Sequence, residues 1–269
     1  MVKERVVTAA VLIVLMLFSI FVLPPQGFVA VIAVVTLLAS LEWAGLNGLN
    51  VRGKAVYAGI TAAAGGLSLF VPSTPLLWAA VALWLWLSAE LLGSRGRVDR
   101  GLFANPWSRM ATGIAILVPA WRAIALVALA PGGKVRTILL LAVVSVCDIT
   151  AYVVGKPLGR TKIASHVSPG KSAEGLAGAI AGATLLGYGT GRGVLHFSGL
   201  HLGLWIAAIA ALAVFSLIGD LTESRAKRIA GVKDSGRLLP GHGGVLDRID
   251  GFTAAAPVYA LASLWLSRP

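Results

Sequence analysis

The chain has few of the residues that close a protein through covalent or metal links, with one cysteine, Cys147, and four histidines. A single thiol excludes an intrachain disulfide and any multi-cysteine metal site. Charge is also scarce. Asp, Glu, Lys and Arg make up 13% of the residues, far below the roughly 25% of a soluble domain. A soluble globular domain is therefore excluded. The net charge of +12 comes without aromatic-and-basic interleaving or any nucleic-acid motif, so nucleic acid is not an expected partner. No internal repeat stands out, which disfavours an inverted-repeat transporter.

Apolar residues make up 57% of the chain. Windows long enough to cross a bilayer fall at 7–24, 27–47, 55–71, 75–92, 111–130, 135–155, 173–190, 198–219 and 251–267. They predict an all-α, polytopic integral membrane protein of about nine transmembrane helices. Lys3 and Arg5 before the first window imitate a secretory signal, but no small-x-small cleavage site follows, so a retained helix is expected.

Basic residues set the expected orientation. With the N-terminus in the cytoplasm, the inner side collects Lys3, Arg5, Arg52, Lys54, Arg95, Arg97, Arg100, Arg109, Lys156, Arg160, Lys162, Lys171 and six bases between 220 and 250. The outer side holds only Lys134, Arg136, Arg192 and Arg268. This contrast follows the positive-inside rule and makes the net charge mainly a topology signal, with some attraction for anionic headgroups. The acids gather on the same side. Glu42, Glu90, Asp148 and Glu174 fall near cytoplasmic helix ends, and ionisable groups in membrane helices usually face a polar interior.

Residues 1–110 read as an N-terminal scaffold of four spans, and 111–269 as a C-terminal catalytic region with two cytoplasmic connections, 156–172 and 220–250. The second carries five of the eleven acids, Asp220, Glu223, Asp234, Asp247 and Asp250, beside the bases Arg225, Lys227, Arg228, Lys233, Arg237 and Arg248. If the preceding helix continues past Asp220, then Glu223, Ser224, Lys227 and Arg228 fall on one face with it. A solvated amphipathic helix is the plainer alternative. Asp220 fits that alternative poorly, because an acid at a helix C-terminus opposes the dipole. The glycines of Pro240-Gly241-His242-Gly243-Gly244 form either a structural turn or a nest of N–H groups for phosphate, and neighbouring Lys233 favours phosphate. Asp247 and Asp250 lie one helical turn apart. Carboxylates without thiols or histidine pairs suit a hard cation, Mg²⁺ before Zn²⁺. Gly178 and Gly182 are expected to serve close helix packing.

Ser224-Arg225-Ala226-Lys227-Arg228, then Lys233-Asp234-Ser235-Gly236, then the unbroken stretch from Pro240 to Asp250 resemble the signature of the phosphatidate cytidylyltransferases, or CDP-diacylglycerol synthases. A second region is similar to that family's upstream motif: Asp148-Ile149-Thr150-Ala151-Tyr152, Gly155, Gly159, Ser168-Pro169-Gly170-Lys171-Ser172 and Glu174-Gly175. Ala173 stands where the family commonly has Trp, and Arg160 where it commonly has Gly. The resemblance implies a Mg²⁺-dependent reaction of CTP with phosphatidic acid that gives CDP-diacylglycerol and pyrophosphate, in a multi-pass protein of the inner cell membrane. It implies contact with membrane lipids and suggests a homodimer.

On this reading the catalytic residues are Asp220, Asp247, Lys233 and Asp148, and the Mg²⁺ ligands Asp220 and Asp247 with Asp250 and Asp234. Substrate binding falls to Lys171, Ser224, Lys227, Arg228, His242, Gly243, Gly244 and Arg248. A transporter has less reason to concentrate these groups in one cytoplasmic run. The DG-x2-AR pattern of CDP-alcohol phosphotransferases is missing after Asp250-Gly251. A CTP-dependent lipid kinase differs in its product.

Overall fold

Prolines and small polar caps decide where the helices begin. Pro25 and Pro106 open two of them, because proline suits a first helical turn whose N–H groups have no acceptor within the helix. Asn50, Asn105 and Ser172 each accept a hydrogen bond from the N–H three residues on, at 2.9, 2.9 and 3.1 Å.

The computed structural model describes residues 2–93 and 96–266, with side chains from Val6 onward. Lys3, Arg5, Arg95 and Arg268, used in the charge count above, lie outside the described side chains. Among the described residues there are nine α-helices: α1 (Val2–Phe21), α2 (Pro25–Leu46), α3 (Val51–Ser68), α4 (Ser73–Leu92), α5 (Pro106–Leu129), α6 (Gly133–Leu158), α7 (Ala173–Gly193), α8 (Gly199–Ile229) and α9 (Leu246–Trp265). Only isolated bridges, Lys162 with Ser172 and Leu239 with Gly243, have β character there.

The all-α membrane class read from hydropathy is thus the observed one. Five helices, α2, α4, α5, α6 and α8, are long and apolar enough to cross a bilayer. The others have shorter apolar stretches or are diluted by glycine, alanine and polar residues. Two helices depart from their windows in a way that builds the site. The α8 helix runs on to Ile229, because 220–229 contains neither glycine nor proline, and α9 begins already at Leu246.

Apolar burial gains little between helices surrounded by lipid, so close packing and polar contacts hold such a bundle together. One cluster joins α5 to α9 around Leu140, Val143, Trp205, Ile209 and Tyr259. A second joins α2 to α5 with α8 and α9 around Trp43, Tyr57, Trp84 and Phe103. Trp43 Nε1 donates to the Arg109 carbonyl at 2.9 Å and the Tyr57 hydroxyl to that of Met110 at 2.7 Å, fixing the start of α5. Gly178 and Gly182 press against Val154 and Thr150 of α6, where a Cβ would come within 2.6 Å of side-chain atoms.

The crossing of α8 and α9 matters most. A Cβ on Gly219 would collide with the Asp250 carbonyl, and one on Gly251 would stand 2.5 Å from Ser216 Oγ. The two backbones therefore touch at the position where Asp220 and Asp250 follow and precede those glycines.

Candidate active site

Because α8 continues beyond that crossing, its last, largely buried turns project Asp220, Glu223, Ser224, Lys227 and Arg228 from one side. The first turn of α9 sets Asp247, Arg248 and Asp250 opposite them. The middle of α6 adds Asp148, the loop before α7 adds Lys171, and the loop after α8 adds Lys233 and Asp234. Apart from Glu223, these residues line one cleft of about 780 Å³. The tertiary structure thus joins the two connections 156–172 and 220–250 in one site. Part of the cleft wall is apolar, with Cys147, Ala151, Leu176, Ala179 and Leu217.

Lys171 forms an ion pair with Asp220. Burial works against its ammonium, but the carboxylates of Asp220, Asp148 and Asp250 outweigh that effect and hold its pKa above the ordinary lysine value. It is therefore a fixed cation at neutral pH. Ser224 Oγ donates to Asp220 Oδ1 at 3.3 Å. Arg228 Nε donates to the Val167 carbonyl at 3.0 Å, pinning the loop that carries Lys171 onto α8.

Lys227 Nζ stands 2.6 Å from Glu223 Oε2 and 2.6 Å from Asp247 Oδ1. Its ammonium thus serves two carboxylates whose side chains are 3% and 6% exposed. Asp247 Oδ2 accepts from Ser235 N at 2.9 Å, Ser235 Oγ at 3.0 Å and Gly244 N at 2.8 Å.

The carboxylates fit a hard cation. Asp220, Glu223 and Asp250 each offer an oxygen, and the three oxygens lie within 4.8 Å of one another. Glu223 Oε1 is buried with no hydrogen-bond partner. A buried carboxylate oxygen without a donor is costly, and an all-oxygen group of this kind is what Mg²⁺ takes. This trio differs from the set expected from sequence. Asp220 and Asp250 belong to it, Glu223 enters, Asp247 stands aside with both oxygens engaged, and Asp234 lies exposed on the rim.

The 240–244 turn also differs from an open anion nest. His242, Gly243 and Gly244 are absent from the cleft lining. The Gly244 N–H already donates to Asp247, and those of Val245 and Leu246 donate to Glu42. The nest geometry is present, with Gly241 and Gly243 at φ +73° and +83°, but the protein's own carboxylates fill it. A Cβ on Gly243 would meet Asp247 Oδ2 at 2.7 Å, so the turn is small in order to fold over that side chain. Buried His242 Nδ1 has no hydrogen-bond partner.

Sequence reasoning placed Glu42 and Glu223 on the same side as the other acids but gave neither a role. The available signal was their position: carboxylates within apolar helices persist only where something offsets their charge.

Fold and cleft together define a polytopic all-α membrane protein with a polar site in which lysines and arginines face clustered carboxylates. The profile of the family described as "Cytidylyltransferase family" matches residues 3–265. The phosphatidate cytidylyltransferase of Pseudomonas aeruginosa is 40% identical over 271 residues, covering 98% of this chain and 97% of the relative. That of Haemophilus influenzae is 32% identical over 286 residues, covering 97% and 98%. That of Synechocystis is 46% identical over 133 residues, covering 48% and 43%. The chain belongs to the cytidylyltransferase family.

Proposed function

We propose that the chain is a phosphatidate cytidylyltransferase, transferring the cytidylyl group of CTP to phosphatidic acid with release of pyrophosphate. The observation that carries this reading is the meeting of Lys171, Lys227, Arg228 and Lys233 with Asp220, Glu223 and Asp250 around one cleft, in a chain alike along its length to enzymes of that name. The cleft has both charged and apolar lining, which suits a lipid carrying a phosphate. The site faces the cytoplasm of an inner cell membrane, and the protein works as a homodimer.

The attacking phosphatidate oxygen is ionised near neutral pH, so no strong base is required. It forms a bond to the α-phosphorus of CTP while the bond from that phosphorus to the β-phosphate bridging oxygen breaks, and the electron pair leaves with pyrophosphate. The barrier lies in bringing two polyanions together and in the charge of the leaving group. Lys171 and Lys233 offset that charge from two sides, and Arg228 and Arg248 orient phosphate oxygens. Ser224 and Asp148 complete the frame, and the turn carrying His242, Gly243 and Gly244 supports it by folding over Asp247. Asp220, Glu223 and Asp250 would hold Mg²⁺, with Asp247 joining them only by releasing Lys227. An ion held there would supply positive charge to offset that of the triphosphate and of the pyrophosphate leaving group.

The test is radiolabel transfer from α-labelled CTP into lipid by purified protein in detergent micelles containing phosphatidic acid. Labelled CDP-diacylglycerol is the expected product. A lipid labelled only from γ-labelled CTP indicates a lipid kinase and overturns the proposal, as does the absence of any labelled lipid.

A further inference from the structure

Glu42 is a carboxylate of α2, in the half of the chain read from sequence as scaffold. Its Oε1 accepts from Val245 N at 3.0 Å and its Oε2 from Leu246 N at 2.8 Å, across more than 200 residues of chain. The α9 helix has no side-chain cap of its own at Val245, so an acid from another helix satisfies its first N–H groups. That fixes where α9 begins, and Asp247 is in its first turn. A second route leads to the same place. Ser235 Oγ lies 2.9 Å from Glu42 Oε2 and 3.0 Å from Asp247 Oδ2, so one hydroxyl bridges the two carboxylates. Gly236 and Gly244 close tightly around Glu42, and a Cβ on either would collide with its carboxylate.

We infer that Glu42 is a positioning residue of the transfer reaction: through Ser235 and the start of α9 it aims Asp247, which in turn holds Lys227 against Glu223. The chain of contacts Glu42, Ser235, Asp247, Lys227, Glu223 has no link longer than 3.0 Å. It reaches the carboxylate trio from outside the cleft. The inference rests on the site reading above, in which Asp247 and its neighbours serve catalysis.

Glu42→Gln keeps the shape but removes one acceptor and turns an N–H₂ group toward backbone donors. Partners that orient the groups around a metal site typically change activity about 10- to 100-fold when removed. The expected result is a kcat lower by about that factor, with KM for phosphatidate unchanged and the protein still folded in detergent at the assay temperature, though with a lower melting temperature than the parent.

The decisive comparison repeats Glu42→Gln in an Asp247→Asn background, with α-labelled CTP to follow slow rates. If Glu42 acts through Asp247, its loss there costs less than about threefold, a strongly non-additive pair. Equal losses in both backgrounds overturn the inference and leave Glu42 a structural cap. So does a Glu42→Gln enzyme within about twofold of the parent. Should Glu42→Gln fail to fold, Ser235→Ala removes the bridge without touching α2. A kcat loss that disappears in the Asp247→Asn background then supports the relay, and an unchanged kcat overturns it. Full activity of Asp247→Asn alone is a different failure, that of the site reading itself.

Discussion

Lys227 Nζ lies 2.6 Å from Asp247 Oδ1, an ion pair that ties the C-terminal extension of α8 to the first turn of α9. The same ammonium holds Glu223, so one cation offsets two buried acids. Removing one partner of such a group leaves an uncompensated charge out of water, which costs far more than the pair contributes over a neutral replacement.

Lys227→Met should therefore be among the most damaging substitutions in the site, destabilising the protein by about 3–5 kcal/mol. Adding Asp247→Asn should return part of that stability by deleting one of the stranded charges. Thermal unfolding of the two variants in the same detergent reads the difference. A single variant as stable as the parent rules out the shared-cation arrangement.

Metal dependence should follow the trio of oxygens. Asp220→Asn and Asp250→Asn keep the side-chain shape and should lower turnover by at least about a hundredfold without unfolding the protein. Glu223→Gln should raise the Mg²⁺ concentration needed for half-maximal rate, because it neutralises the oxygen that has no donor of its own. EDTA should abolish turnover and Mg²⁺ restore it. Parent-like Mg²⁺ titrations for all three variants would remove these carboxylates from the metal site.

Lys233 and Arg97 separate a phosphate clamp from a topology charge. Lys233 lines the cleft, whereas Arg97 is exposed and, among the described residues, pairs with Asp99 at 3.8 Å. Lys233→Ala should cost about 2–4 kcal/mol of transition-state stabilisation, or roughly 30- to 1000-fold in rate, and Arg97→Ala almost nothing. Initial rates at saturating CTP and phosphatidate, normalised to folded protein, make the comparison. Equal rates would return the 233–237 segment to the status of a surface loop.

Orientation is open to a labelling test, because Cys147 is the chain's only cysteine and is buried. In a Cys147→Ala background, single cysteines at Ser198 and Arg237, both exposed, should be reached from opposite sides by a membrane-impermeant maleimide. Labelling of both from one side contradicts the charge-based topology.

Much of the site was legible in the chain because helical spacing is local. Asp220, Ser224, Lys227 and Arg228 share a face by periodicity alone, and the structure has them lining one cleft. The turn at 240–244 was read from composition as a place for a ligand's phosphate, and here the intramolecular acceptors intervene. Glycine content shows that N–H groups can converge but not what they converge upon. In this structure Asp247 and Glu42 take them. Glu42 stayed without a role for the same reason, since its partners are 193 to 204 residues away and no sequence period connects them.

The amino-acid sequence by itself determined the membrane class, the nine helices and the composition of the polar connections. Those follow from hydropathy, proline and cap positions, and the cost of placing charge in lipid, all properties of short segments. Which acids stand together was decided by the tertiary structure alone. The contact of Gly219 with the backbone at Asp250 sets the register of α8 against α9, and that register, fixed by steric fit between distant segments, brings Glu223 into the oxygen trio and leaves Asp247 with Lys227.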